Sequence, residues 1–136
     1  MKIKIDKADQ AFSLYIRTRD DWTCQRCGKR FLKGNTAGLE CSHYFGRSRE
    51  NTRFDPENCI ALCTGCHSYW DSAAKEEYRY FKIKQLGVKG FDLLMVRANT
   101  YKKKDRKMAL IVARELLKQL EIERESSVLW HGRIGG

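Results

Sequence analysis

The chain has 136 residues, the length of one domain with room for an extension, and a formal net charge of +10. Its 42% hydrophobic residues are typical of a globular protein, whereas 32% charged residues indicate a modest core. No stretch approaches the roughly 18 apolar residues that cross a bilayer, and the first ten residues lack the apolar run of a signal peptide. These features exclude a membrane-spanning protein. They predict a cytosolic protein with a polyanionic partner, most commonly nucleic acid.

The first predicted element is a helix over residues 7–20. Asp6 is placed to cap it, and Asp9 completes a pattern similar to a capping box. Residues 33–38 are predicted to form a loop, and the following apolar stretch, 39–44, is short enough to be a strand. The chain therefore begins with a helix and then passes into a small sheet.

The remainder of the chain is predicted to be mainly helical. A polar loop over 45–56 leads to a second short apolar run at 59–62, and the segment beginning CTGCH then turns into a helix. The last strong element spans 104–123 and has a broad apolar face. The final residues, SSVLWHGRIGG, show no periodicity and are expected to be mobile, and His131 within them is given no role.

Two CxxC pairs carry the clearest chemical signal. Cys24 with Cys27, and Cys63 with Cys66, are spaced so that both thiolates of a pair reach one ion from a single tight turn. In a reduced cytosol, two such pairs predict a closed four-thiolate zinc site rather than disulfides or a redox dithiol. Because four thiolates leave no open position for a substrate, the predicted zinc is structural and its binding supports folding.

The segment between the two pairs is longer than a zinc site requires. A plain zinc ribbon has roughly 15–20 residues there, whereas 35 residues separate Cys27 from Cys63. The additional residues include His43 and Asn58, and His67 directly follows the second pair. All three lie close to the cysteine frame, so we expect them to come together in space.

These residues stand in a pattern that resembles a nuclease family. The stretches LECSHYFGRS, DPENCIALC and CTGCH resemble the HNH signature of the ββα-metal nucleases. A closer resemblance, which covers most of the chain from FSLYIRTRD to the lysine-rich helical tail, is to the phage NinG/Rap recombination proteins. The resemblance implies an α+β fold. Its N-terminal helix and small ββα-metal (HNH) core with a four-cysteine zinc knuckle would occupy residues 1–76, and a basic helical C-terminal extension residues 77–136.

The same resemblance implies a metal-dependent endonuclease that hydrolyses DNA phosphodiester bonds. Its substrate would be branched or recombining phage DNA in the cytoplasm of a bacterial host. His43 would take a proton from the attacking water, and His67 would bind a catalytic Mg²⁺ or Mn²⁺ ion. Asn58 would form hydrogen bonds across the hairpin and fix the loop that carries His43.

One position departs from the family pattern. Many HNH enzymes have Asp or His immediately before the catalytic histidine as a metal ligand, whereas Ser42 stands there in this chain. Glu40 lies on the same strand face as Ser42, and Asp71 lies four residues after His67 on one helical face, so both are candidate replacements. Asp71 also suits an ordinary surface pair with a lysine. Such a site is expected to bind metal weakly until phosphate completes it.

Clustered basic residues are candidate phosphate contacts, although a solvated surface is the alternative. Three arginines follow His43 in the predicted loop, and three lysines open the C-terminal helix. The candidates are Arg47, Arg49, Arg53, Lys102, Lys103 and Lys104. No segment resembles a base-reading helix, so recognition of DNA shape is expected more than recognition of sequence. The expected partner is double-stranded or branched DNA, and a dimer would suit two-fold symmetric junctions.

Two cysteines lie outside the CxxC pairs, and two other functions compete with the nuclease. Cys41 and Cys59 are expected to fill the core of the hairpin, with a second thiolate metal site as the alternative. The main competing hypothesis is a zinc-containing DNA-binding module with a degenerate nuclease centre, for which Ser42 is the best support. A further alternative is an RNA-directed or packaging-associated HNH protein.

Overall fold

The computed structural model describes residues 3–135, with side chains up to Val128. Within these residues the fold is α+β, with five α-helices and one two-stranded antiparallel sheet. In chain order the elements are α1 (Lys7–Arg19), β1 (Leu39–His43), α2 (Glu50–Arg53), a 3-10 turn (Pro56–Asn58), β2 (Cys59–Cys63), α3 (Thr64–Ser72), α4 (Lys75–Ala98) and α5 (Arg106–Gly135). No helix in the described part of the chain is long and apolar enough to cross a membrane.

The predicted first helix and its cap are confirmed. The Asp9 backbone N–H donates to the Asp6 side chain at 3.0 Å, and the Asp6 N–H donates to the Asp9 carboxylate at 2.9 Å. After α1 the chain turns through two non-glycine residues in the left-handed region, Asp21 at φ 56° and Trp22 at φ 52°. This conformation is unfavourable for residues with a Cβ. It is offset here because the Trp22 side chain is buried in the core.

The two predicted strands are also confirmed, and their register sets the positions of His43 and of Cys63. Leu39 pairs with Cys63 and His43 pairs with Cys59. One core cluster holds both strands against α3 and α4, and its large side chains include Trp70 and Tyr78, whose rings stack at 4.5 Å. Because the sheet has only two strands, helices on its faces provide most of the burial that stabilises it.

A second core cluster joins the sheet to the helices at the two ends of the chain. Phe12 and Ile16 of α1 and Ala113 of α5 pack there with Cys41 and Cys59. The prediction that both cysteines fill the core is confirmed, since Cys41 is 4% and Cys59 is 0% exposed. The C-terminal helix therefore completes the core on this side of the hairpin.

Three elements differ from the sequence predictions. The loop predicted over 45–56 contains the short helix α2, and the helix predicted after the second cysteine pair is divided between α3 and α4 at Ala73 and Ala74. Helix α4 is itself kinked at Gly87, whose φ is 78°. The last helix was predicted to end at residue 123, whereas α5 continues to Gly135, and no Gly or Pro interrupts residues 106–131. The side chain of His131 lies outside the described residues.

Candidate functional site

The four cysteines of the CxxC pairs come together as predicted. Their Sγ atoms all lie within 4.8 Å of one another, and Cys27 Sγ is 3.9 Å from Cys63 Sγ. Four sulfurs bound to one zinc ion at about 2.3 Å would lie about 3.8 Å apart at the corners of a tetrahedron. The cluster therefore fits a structural metal ion such as zinc after small side-chain adjustments.

Donors around the four sulfurs suit negatively charged thiolates. Cys63 caps the N-terminus of α3, and the Cys66 backbone N–H lies 3.4 Å from Cys63 Sγ, where the helix dipole favours negative charge. The Arg26 guanidinium donates to Cys66 Sγ at 3.4 Å. The Gln25 N–H donates to the Ala61 carbonyl at 2.9 Å and connects the first CxxC turn to β2. The knuckle is thus attached directly to the hairpin that carries the candidate histidines.

His43 ends β1 and is held by one defined hydrogen bond. Its Nε2 lies 2.9 Å from the Arg53 carbonyl oxygen, which can only accept, so Nε2 carries the proton and Nδ1 is the basic nitrogen. Nδ1 is shielded from solvent and has no hydrogen-bond partner among the residues described. Burial, together with the charge of Arg47, lowers the pKa of His43 to about 4. The imidazole is therefore neutral at neutral pH and can accept a proton.

Asn58 fixes the loop that follows His43. It is fully buried, and its Oδ1 accepts from the Phe45 N–H at 2.8 Å. Its Nδ2 donates to the Phe45 carbonyl at 2.9 Å and to the Thr52 carbonyl at 3.0 Å. The hydrogen bonds predicted across the hairpin are present. Since Thr52 precedes Arg53, they also hold the carbonyl that accepts from His43.

His67 lies between two carboxylates in the second turn of α3. Its Nδ1 is 3.0 Å from Glu40 Oε1, and its Nε2 is 3.2 Å from Asp71 Oδ2. A neutral imidazole has one N–H, so both contacts are hydrogen bonds only when the ring is protonated. A cation bound at one edge would take the place of the second proton. Both acids predicted as extra ligands therefore contact His67, from opposite edges of its ring.

Ser42 belongs to the core. It is fully buried, and its Oγ lies 2.8 Å from the Tyr78 hydroxyl. Burial raises the pKa of Tyr78, so the phenol stays protonated. Successive residues of a strand point to opposite faces, which accounts for the separation of Ser42 from the side of β1 that His43 occupies.

Arg47 lines three clefts, two of which also include His67. The central cleft has a volume of about 280 Å³. It is lined by Ile3, Ile5, Cys41, His43, Gly46, Arg47, His67 and Asp71. A neighbouring cleft of about 540 Å³ includes Glu40, His67, Arg17 and Arg47. A third, of about 590 Å³, includes Lys4, Arg47 and Lys104, together with Arg106 and the two acids that pair with it, Asp6 and Glu50. A basic surface therefore continues from the histidines toward the start of α5.

The predicted phosphate contacts differ in their availability. Arg47 has a side chain 28% exposed and faces the clefts, and Lys104 lines the third cleft. Lys102 and Lys103 are exposed, but neither is among the residues that line the three clefts. Arg49 is exposed and donates to Asn99 Oδ1 at 2.5 Å. The candidates therefore do not form a single surface.

Arg53 does not have the exposure that a phosphate contact requires. It is 5% exposed, and its guanidinium donates to the two carboxylate oxygens of Asp9 at 2.8 and 2.6 Å. Its Nη2 also donates to the Lys4 carbonyl at 2.8 Å. The prediction that Arg53 contacts phosphate is not compatible with this burial. Its side chain instead holds α1 against the loop that carries its own carbonyl.

Two arrangements were not predicted from the sequence: the ion pair of Asp9 with Arg53, and the approach of Cys41 and Cys59 to His43. Burial raises the pKa of Asp9, but bonds from Arg53 and Asp6 outweigh it and lower this pKa to about 2. A ligand atom from each of Cys41, His43 and Cys59 lies within 4.8 Å of the others. The alternation of Cys41 and His43 along one strand was the signal that could have placed them on one face.

Comparison with known protein families supports a relationship over nearly the whole chain. The family described as Bacteriophage Lambda NinG protein matches residues 2–125. No curated protein and no solved structure gives a match. The matched range contains both cysteine pairs and all three of His43, Asn58 and His67. The chain therefore belongs to the bacteriophage lambda NinG family.

Proposed function

We propose that this protein is a metal-dependent HNH endonuclease that hydrolyses DNA phosphodiester bonds in branched or recombining phage DNA. The observation that carries the proposal is the central cleft. Its wall combines His43, which is neutral and held by a carbonyl, with His67, Asp71 and Arg47. A base, an ion-binding pair and a positive charge on one wall are the components that phosphodiester hydrolysis requires.

In this proposal His43 is the general base. The Arg53 carbonyl keeps the ring proton on Nε2, so Nδ1 is the nitrogen that would accept a proton from the attacking water. Nδ1 is shielded from solvent in this conformation, so a small side-chain movement at the cleft wall would have to admit that water. A lowered pKa keeps the base unprotonated at neutral pH, although it also makes the base weaker. Asn58 is a positioning residue, because its side-chain amide bonds Phe45 and Thr52 of the loop and it is not among the residues that line the cleft.

His67 and Asp71 are the proposed ligands of the catalytic ion. Both line the central cleft. Glu40 lies at the opposite edge of the imidazole and lines the neighbouring cleft of about 540 Å³. Glu40 would then accept the Nδ1 proton of His67 and orient the ring, the usual role of a carboxylate behind a metal-bound histidine. When bound, Mg²⁺ or Mn²⁺ would neutralise charge on the phosphate and on the leaving oxygen.

Arg47 is the proposed contact to the scissile phosphate. Its side chain contributes to all three clefts, and Lys4 and Lys104 add positive charge along the third, where Arg106 is paired with Asp6 and Glu50. The net charge of +10 supports a nucleic acid substrate. The family relationship supports a role in phage recombination.

The proposal is tested by nicking of supercoiled plasmid with Mg²⁺ or Mn²⁺. His43→Ala is expected to lower the rate by about 10²- to 10⁴-fold. Asp71→Asn should weaken metal dependence, whereas Asp92→Asn, an exposed acid on α4, should not. Calorimetry should show Mg²⁺ binding that is strengthened by DNA. A comparison of four-way junctions with linear duplexes tests the substrate class. If wild type and His43→Ala both shift DNA on a gel but neither nicks it, the DNA-binding module is the correct function.

A further inference from the structure

Three side chains behind the central cleft form a second cluster of soft metal ligands. Cys41 and His43 lie two residues apart on β1, and Cys59 of β2 pairs directly with His43. One ligand atom from each lies within 4.8 Å of the other two. The cluster shares no residue with the four-cysteine knuckle, so it is a separate candidate site.

The donor set is suited to a thiophilic ion. Two sulfurs and one imidazole nitrogen favour Zn²⁺, Cd²⁺ or Co²⁺ over the oxygen-seeking Mg²⁺ and Mn²⁺. The His43 Nδ1 atom is buried without a hydrogen-bond partner among the described residues, and an ion is one partner that would satisfy it. The bond between Nε2 and the Arg53 carbonyl would remain and would hold the ring in orientation.

The surroundings provide both access and space. Cys41 and His43 line the central cleft of about 280 Å³, so an ion can enter from that side and keep a water molecule as its fourth ligand. In a tetrahedral zinc site, sulfur and nitrogen ligand atoms lie about 3.6–3.8 Å apart. Closure from separations of up to 4.8 Å requires side-chain shifts of about 1 Å or less.

We propose that Cys41, His43 and Cys59 bind a thiophilic divalent ion such as Zn²⁺, and that this ion inhibits cleavage. The ion occupies the nitrogen that would otherwise accept the proton of the attacking water. The inhibition rests on the proposed nuclease function, whereas the binding of the ion does not. The site thereby links cleavage to the availability of free zinc.

Binding is tested on the full chain with Cd²⁺ replacing zinc, under a reductant that keeps all six cysteines as thiols. Wild type should bind two Cd²⁺ ions through thiolates, measured by elemental analysis and by thiolate-to-Cd²⁺ ultraviolet absorbance. The double variant Cys41→Ser, Cys59→Ser should lose one ion and about a third of that absorbance, because four of six thiolates remain. The double variant His67→Ala, Asp71→Asn should keep the full absorbance.

Several outcomes would overturn the site. If wild type binds only one ion through thiolates, the second site does not exist, and this measurement does not depend on how any variant folds. Retention of the full absorbance after both cysteines are replaced would also overturn it. In the nicking assay, Cys41→Ser should raise the Zn²⁺ concentration for half-inhibition by roughly tenfold or more. If wild type binds the second ion but never nicks DNA, the metal site stands and the nuclease proposal fails.

Discussion

The buried ion pair between Asp9 and Arg53 allows the structure to be tested quantitatively. The two side chains are 1% and 5% exposed, and Arg53 Nη2 lies 2.6 Å from the carboxylate. Removing one member of a buried pair costs about 3–5 kcal/mol, because the other charge stays buried. The pKa of Asp9, lowered from 3.8 to about 2, gives a smaller figure of about 2.5 kcal/mol. The energy from the pKa is smaller than the cost of removing one partner, because a protonated Asp9 keeps part of its hydrogen bonding.

We therefore expect Asp9→Asn to lower the free energy of unfolding by about 3 kcal/mol, or the melting temperature by roughly 10 °C. Urea unfolding of the zinc-loaded protein near pH 7 measures the change. Asp21→Asn is the matched control, because the Asp21–Arg30 pair is 71% and 74% exposed on its two sides. That variant should lose less than about 1 kcal/mol.

The pH dependence gives a second measure of the same pair. A carboxyl group whose folded-state pKa is lowered stabilises the fold above its unfolded pKa and loses that contribution as the pH falls. Asp9 should therefore account for a decrease in stability between about pH 4 and pH 2 that is absent from Asp9→Asn. If Asp9→Asn and Asp21→Asn have equal stabilities, the buried pair does not anchor α1.

Three further predictions concern the site and the core. The His43 ring should titrate by NMR with a midpoint near 4, and a midpoint near 6.5 would show that the ring is solvated. Chelation of zinc, or Cys27→Ser at the exposed corner of the knuckle, should release the ion and lower the free energy of unfolding by more than about 3 kcal/mol. Denaturation with and without added zinc measures this change, and unchanged unfolding would contradict a structural metal. Tyr78→Phe removes a buried hydroxyl 2.8 Å from Ser42 Oγ and should lower the free energy of unfolding by about 1–2 kcal/mol. Tyr80→Phe, at a side chain that is 70% exposed, should change it very little, and equal stabilities of the two variants would contradict the buried hydrogen bond.

The parts of the fold that could be predicted from the sequence are those with a local cause. The capping box from Asp6 to Asp9 spans four residues, and so does each CxxC turn, so spacing alone indicates their geometry. The strands were recognisable as short apolar runs between turn residues. The contact between His67 and Asp71 follows from their i,i+4 spacing on α3.

The parts that could not be predicted depend on contacts between distant residues. Asp9 and Arg53 are 44 positions apart, and nothing in a polar loop indicates that one of its three arginines is buried. The C-terminal end of α5 was predicted too early in the chain. Its apolar periodicity weakens after residue 123, but no Gly or Pro lowers the helix propensity before residue 132.

The burial of Arg53 shows what holds His43, the proposed base, in position. The three residues of the His–Asn–His pattern do not hold His43 by themselves, because its ring proton is accepted by the Arg53 carbonyl. That carbonyl is held from one side by Asn58, through Thr52, and from the other by the Asp9 carboxylate, through the Arg53 side chain. Loss of Asp9 should therefore reduce nicking by more than its effect on the folded fraction, because it loosens the carbonyl that sets the tautomer of His43. Arg47, by contrast, remains available to the clefts because its acidic neighbour, Asp9, is 4.0 Å away and already bonded to Arg53. Two arginines of one loop thus have opposite tasks, one directed outward toward the proposed substrate and one inward beneath the proposed base.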